Sequence, residues 1–283
     1  MIKIQVPATS ANIGIGFDCL SLAVQMYNTF SVEKSEKWVL EGFDCKIEDN
    51  LFLKAYEYGC ETMQVNADPC SVTLQSRIPL SRGLGSSASL IVAGLLTANE
   101  LHENTLTKEE LLSLATEMEG HPDNASAALY GNLCLSKKDR AQVFPMDPSL
   151  KLTLLIPDVT VSTQEARTIL PQSYERSEVV TTLYGALSGF QALLNGNEET
   201  LADLMNDRIH EPYRKQLIPH FEKAKAWALA HGAKAFLISG SGSTCIAVSK
   251  GAMDLSETFP YSNWRIIPIE IDTKGAEVCR TNI

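Results

Sequence analysis

No apolar run in the 283-residue chain approaches the ~20 residues that span a bilayer, so no membrane partner is expected. The opening residues, Met1-Ile2-Lys3-Ile4-Gln5, lack the basic stretch and apolar core of a secretory signal. Positive charge is scarce. The chain has 24 Lys and Arg against 34 Asp and Glu, a formal net charge of -10. That field draws in no phosphate backbone, so no nucleic acid is expected either. The seven cysteines (Cys19, Cys45, Cys60, Cys70, Cys134, Cys245, Cys279) form no C-x-x-C pair. Their odd number and irregular spacing fit reduced thiols in a cytoplasmic protein better than a disulfide framework or a zinc site. Internal repeats and low-complexity tracts are absent as well.

What is there centres on Pro79-Leu80-Ser81-Arg82-Gly83-Leu84-Gly85-Ser86-Ser87-Ala88-Ser89. A β-branched run (Val72, Thr73) precedes it and an apolar-periodic run (Leu90, Ile91, Ala93, Leu95, Leu96) follows. A tight loop between a strand and the first turn of a helix is therefore expected. Its glycines let backbone approach a ligand closely. The unpaired amides of the first helical turn and the positive end of the dipole make it an anion site, most often for phosphate. It is not a Walker A loop, because no lysine follows Gly85, and G-x-G-x-x-G is absent from it.

Length allows one large or two modest domains, and 45% hydrophobic with 20% charged residues is an ordinary globular balance. Residues 2–6 alternate as a strand and run into a Gly-rich loop holding Asn12 and Asp18, which taken alone read as turn-forming side chains. Strands are expected at 29–33 and 38–42. Asp49 or Asn50 is placed to cap a helix through Cys60. Thr107-Lys108-Glu109-Glu110 is a capping box that opens a helix stopped by Gly120. His121-Pro122-Asp123-Asn124 then starts an alanine-rich helix whose small residues point to close backbone packing.

The pattern thins around residues 141–148, a candidate boundary between domains 1–148 and 149–283. Beyond it come a strand at 152–157, helices near 178–194, 198–205 and 221–231, strands at 235–238 and 244–248, a short helix, and a last strand at 265–271. The Gly/Ser loop 239–243 sits between two of these strands. That order is an α+β sandwich pattern.

The form P-x-x-x-G-L-G-S-S-[AS] resembles the phosphate loop of the GHMP kinases. Other stretches extend the resemblance along the chain, in the form taken by the homoserine-kinase branch. They are Pro7 to Asp18, Glu119 with His121-Pro122-Asp123-Asn124, Ser162 to Arg167 with Leu170-Pro171, His210 to Arg214, and Ser239 to Thr244. The resemblance implies an N-terminal nucleotide-binding domain of the ribosomal-protein-S5-domain-2-like type, with a left-handed β-α-β unit, and a ferredoxin-like C-terminal domain. It implies ATP and Mg2+ as cofactors. It also implies phosphorylation of the side-chain hydroxyl of L-homoserine to O-phospho-L-homoserine, a step toward threonine.

By the same resemblance Pro79 to Ser89 hold the triphosphate, Asn50 lies near the adenine ring, and Ser87 with Glu119 hold the metal. Arg167 and Arg214 take the acceptor's carboxylate, Asp18 its ammonium, and Asn12 and His121 its hydroxyl region. Some relatives carry an aspartate as a base where this chain has Asn124, and an amide accepts no proton. Transfer without a side-chain base is therefore expected, with Asn12, Asn124 and Arg167 at the reacting centre. Ser243 stands where the third motif usually has proline, and Ile15 where the first does; the former is expected to loosen its loop. Family members are often dimers, which allows a homodimer here, although no stripe in the sequence marks its interface. A mevalonate-type acceptor and a non-catalytic nucleotide-binding protein are the alternatives.

Overall fold

A computed structural model describes residues 1–257 and 259–280. Two sheets organise it. The first has the order β11-β1-β2-β4-β3, built from β1 (Ile2–Ala11), β2 (Leu20–Lys34), β3 (Val39–Glu41), β4 (Cys70–Gln75) and β11 (Glu277–Arg280). The hairpin of β5 (Leu133–Lys137) and β6 (Arg140–Phe144) extends it from the first half of β2. The pairings are antiparallel except β3 with β4. That parallel pair flanks α1 (Leu51–Thr62), which gives a β-α-β unit.

The second sheet has the order β10-β7-β9-β8, from β7 (Leu150–Pro157), β8 (Ala233–Ile238), β9 (Cys245–Lys250) and β10 (Trp264–Ile269). Its pairings are all antiparallel, the strand order of a ferredoxin-like sandwich. The chain changes sheet between Phe144 and Leu150, and its last described strand returns to β1.

Strand alternation distributes the core. Leu152, Leu154 and Ile156 of β7 face a layer shared with Leu20, Leu22 and Val24 of β2, which joins the two halves. Leu155 faces the opposite way, toward Phe221, Ala224 and Ala228 of α8 (Phe221–Ala230). Side chains one apart on a strand point to opposite faces, so a single strand serves both layers. In the N-terminal half Ile4, Val6, Phe30 and Val72 pack under α1, α2 (Ser86–Leu101), α3 (Lys108–Glu119) and α4 (Asp123–Tyr130). The remaining helices are α5 (Thr163–Thr168), α6 (Arg176–Asn195) and α7 (Glu211–Arg214).

The local signals act as read. The Asn50 side chain accepts from the Leu53 amide at 3.1 Å. Thr107 and Glu110 form both halves of a capping box, and Gly120 closes α3 in the left-handed region. Four expectations change. Residues 7–11 continue β1 rather than open the Gly-rich loop, because they pair with β2. Residues 140–144 are the strand β6 rather than part of a linker, because they pair with β5. Residues 201–205 make a 3-10 turn, not an α-helix. No helix connects β9 to β10 among the described residues. No helix there is long and apolar enough to cross a membrane.

Candidate active site

The phosphate-type loop leads into α2, and Gly85 sits at the N-cap with φ 67°. Its carbonyls are turned into the protein. Val161 N donates to Ser81 O at 3.1 Å, Thr244 N to Arg82 O at 3.2 Å, and Thr9 N to Leu84 O at 3.1 Å. Ser239 Oγ donates to Gly83 O at 2.6 Å. No protein acceptor meets the amides of residues 83–88 among the described residues. With the carbonyls held back and the amides free, the loop's backbone presents donors to the cleft.

The glycines serve this packing as much as any ligand. A Cβ on Gly83 would lie 2.1 Å from Ser239 O, and one on Gly85 1.9 Å from Thr9 Oγ1. Arg82 braces the loop from outside, donating to Pro157 O at 3.3 Å and Asp158 Oδ1 at 2.7 Å. Ser243 is fully buried and its hydroxyl donates to Val159 O, so it pins the loop it was expected to loosen.

The loop opens on a cleft of ≈ 360 Å³. The α3-to-α4 turn supplies one wall. Only Gly120, His121 and Pro122 separate the two helices, so Glu119, His121, Asp123 and Asn124 all reach the cleft. The Glu119 residue is partly exposed, but its carboxylate Oε2 is enclosed and has no partner. Burial raises its pKa to about 7, Asp123 adds to the rise, and His121 and the Ser87 hydroxyl oppose it.

His121 Nδ1 lies 2.7 Å from Asp123 Oδ1. Burial alone would lower the imidazole pKa, but the hydrogen bond to Asp123 and the charges of Asp123 and Glu119 outweigh it and raise it. Asn124 accepts from Thr9 Oγ1 at 2.7 Å. Asp123, which the sequence motif contained without a role being assigned, is a buried cleft carboxylate that also accepts from the Asn124 amide at 2.8 Å.

The other wall comes from the first Gly-rich loop and the C-terminal half. Arg167 binds Asp18 through both guanidinium ends, Nη1 to Oδ2 at 3.0 Å and Nη2 to Oδ1 at 2.9 Å. Arg214 is 1% exposed, yet it lines the cleft; it donates to Ala166 O and Gly240 O, each at 3.0 Å. Burial and the nearby Arg167 charge lower its pKa to about 10. Asn12 donates to Gly240 O at 2.9 Å and accepts from the Asp18 amide at 2.8 Å. It shapes the loop that carries Asp18.

Most residues singled out in the sequence therefore converge. Leu80, Ser81, Arg82, Gly83, Leu84, Gly85, Ser86, Ser87, Asn12, Asp18, Glu119, His121, Asn124, Arg167 and Arg214 line one cleft. Four do not. Asn50 is buried and uses its side chain to cap α1, while the next residue, Leu51, reaches the cleft. Ala88 and Ser89 are buried behind the loop, Ser89 Oγ donating to Ser86 O at 2.7 Å. Pro79 faces a separate groove with Arg265. Asn28 escaped notice in the sequence because it sits mid-strand. Buried, it accepts from the Arg77 and Ile78 amides and donates to Ser89 Oγ, tying β2 to the loop and its helix.

A loop of free amides opening onto a cleft of guanidinium and carboxylate groups suits a phosphate-bearing ligand beside a small charged partner. The chain belongs to the GHMP kinases: residues 50–132 match the GHMP kinases N terminal domain and residues 190–257 the GHMP kinases C terminal. As such it is an ATP-dependent kinase.

Among curated relatives, a homoserine kinase from Caldicellulosiruptor bescii is 36% identical, the match covering 98% of this chain and 97% of that one. One from Clostridium acetobutylicum is 37% identical over 98% of this chain and 100% of its own. The crystal structure of homoserine kinase from Cytophaga hutchinsonii superposes with a TM-score of 0.86 at 28% identity, covering 98% of this chain and 97% of that one. A mevalonate kinase structure, 15% identical with a TM-score of 0.72 and covering 95% and 98%, shares the fold.

Proposed function

We propose that the protein transfers the γ-phosphoryl group of ATP to the side-chain hydroxyl of L-homoserine, giving O-phospho-L-homoserine and ADP. The observation that carries this reading is the Asp18–Arg167 pair on the cleft wall beside Arg214. A zwitterion suits that wall: its ammonium takes Asp18 and its carboxylate takes the two guanidiniums, which bind carboxylates through paired N–H donors. Mevalonate has no amino group to pair with Asp18. Identity of 36% over nearly the whole chain with homoserine kinases supports the same acceptor.

The loop amides of residues 83–88 would hold the triphosphate, and Leu51 and Leu90 line the same cleft on apolar surface. Ser87 and Glu119 fit Mg2+. The cation takes hard oxygen ligands and keeps several waters, and Glu119 Oε2 is enclosed without a partner. When bound, the ion neutralises phosphate charge.

This chain's own residues do the rest. The amides receive charge developing on the transferred group, and Asn12 fixes the Asp18 loop. His121, held through Nδ1 by Asp123, presents its other edge toward the acceptor hydroxyl. Asn124 spends its oxygen on Thr9 and takes no proton. A loose phosphoryl-transfer transition state leaves the alcohol little deprotonated until late, so positioning and charge stabilisation carry the rate.

The test is ADP release by the purified protein with Mg-ATP, comparing L-homoserine with mevalonate, galactose and no acceptor. Turnover with L-homoserine alone is expected. Turnover with mevalonate would overturn the acceptor assignment, and none with any acceptor would favour a non-catalytic nucleotide-binding protein.

A cytoplasmic setting suits the seven free cysteines. A homodimer suits α6, whose outer face exposes Val180, Leu183, Tyr184 and Leu187. No charged residue occurs from 179 to 194. Two copies of a chain with net charge -10 repel least where that face meets its own image. Leu187→Glu is expected to halve the mass measured by light scattering; a wild type already monomeric at micromolar concentration would exclude the pairing.

A further inference from the structure

Phe17 lies between the loop's last glycine and Asp18. Its ring meets two cations: the Arg214 guanidinium carbon is 5.0 Å from the ring centroid and that of Arg167 is 5.9 Å. No other ring among the described residues has two cations within reach. The His210 ring stacks on Phe17 at 5.5 Å with 29° between planes. His210 is itself immobilised. It is fully buried, its Nε2 lies 2.8 Å from Gly14 O, and its backbone amide donates to Asp207 at 3.0 Å.

Arg167 and Arg214 are like charges brought to one wall, and that proximity helps lower the Arg214 pKa. The negative face of an aromatic quadrupole attracts such cations, more strongly where water is excluded. Asp18 grips Arg167 in the guanidinium plane, and the neighbouring residue touches it with a ring. An arriving ammonium that takes Asp18 removes the first grip and leaves the second.

We propose that Phe17 is a positioning residue that holds Arg167 and Arg214 together as one carboxylate-binding edge and so sets selection for a carboxylate-bearing acceptor. The proposal rests on the L-homoserine reading above. It assigns Phe17 no contact with the reacting atoms, in keeping with its absence from the cleft lining.

The test replaces Phe17 with 3,4,5-trifluorophenylalanine, which keeps the ring's shape and strips its negative face, alongside Phe17→Leu and Phe17→Tyr. Calorimetry with ADP present follows L-homoserine and its carboxamide. The trifluoro protein is expected to bind L-homoserine about tenfold more weakly, the loss of one desolvated cation–π contact. Carboxamide and ADP affinities stay within twofold. Phe17→Leu shows at least the same loss, and Phe17→Tyr restores binding. An unchanged L-homoserine affinity in the trifluoro protein overturns the proposal, as does equal weakening of both acceptors, which would mark a merely structural ring. Wild-type protein that binds no L-homoserine sinks the acceptor reading first and this inference with it.

Discussion

Arg167 and Asp18, 149 positions apart in the chain, close a two-point ion pair across the cleft at 3.0 and 2.9 Å. Each is about one-third exposed, at 39% and 35% of its side chain, so solvent screens the pair and its contribution to folding is small. On the proposed reading, its value lies in holding two opposite charges in register before a ligand arrives. Arg167→Lys keeps the charge but loses the planar fork. We expect it to raise KM for L-homoserine roughly tenfold or more, with KM for ATP and the melting temperature little changed. Steady-state kinetics checks this, and an unchanged acceptor KM would remove Arg167 from carboxylate binding.

Glu119 gives a pH signature. Its carboxyl is pushed up to about 7 by burial, and a metal needs it ionised. Mg2+ affinity is therefore expected to fall as the pH drops through about 7. Stability runs the other way. A raised carboxyl pKa favours folding fully below the ordinary carboxylate range, and the contribution is lost as the pH rises through about 7. Glu119→Gln resembles the neutral acid at every pH. It is expected to melt higher than wild type at pH 8 without Mg2+, by up to about 3 kcal/mol of stability. The gain shrinks toward pH 4.5, and kinase activity is lost. Melting curves at both pH values decide it: an equal or lower melting temperature at pH 8 would mean the carboxylate is already compensated.

Gly85 is constrained twice. Its φ is 67° and a Cβ would lie 1.9 Å from Thr9 Oγ1. Gly85→Ala must turn the Thr9 hydroxyl away from Asn124 or shift the loop, and is expected to cost about 2 kcal/mol or more of stability together with nucleotide binding. By contrast Gly120→Ala meets nothing within 4 Å and costs only the left-handed conformation, about 1 kcal/mol. Comparing their unfolding midpoints and ADP affinities separates steric from conformational need.

Asp123 is the cleft carboxylate best placed to contest the absence of a base. It is 1% exposed and its Oδ1 is taken by His121 and the Asn124 amide. If it only orients His121, Asp123→Asn lowers kcat by about tenfold or less. A loss on the order of 10³, with the acid limb of the pH profile abolished, would make it the base and overturn transfer by positioning alone.

The phosphate loop was legible because its chemistry is local. Glycines at the turn, hydroxyls in the first helical turn and an apolar run behind them are consecutive, and one strand-turn-helix presents them together. The Asn50 cap and the Thr107 box were legible for the same reason. Asn50 also shows the limit, because a cap and a ligand contact ask for the same side chain and only packing shows which has it. The α6 face was hidden because its apolar residues are spread over exposed, half-buried and buried positions, and hydrophobic periodicity alone does not say which of them face solvent.

The sequence by itself determined most of the elements, the Asn50 and Thr107 caps, and the residue types that a nucleotide and a charged acceptor require. Tertiary structure decided the rest. It turned the loop carbonyls of residues 81–84 inward against β1 and the C-terminal half, leaving the amides for a ligand. It brought Glu119, at the end of α3, beside Ser87, at the start of α2. It also set Arg167 and Arg214 against Phe17 and Asp18. Those contacts join positions up to about 200 residues apart (His210 to Gly14 spans 196), and side-chain chemistry read along the chain carries no record of which distant partner a group will meet.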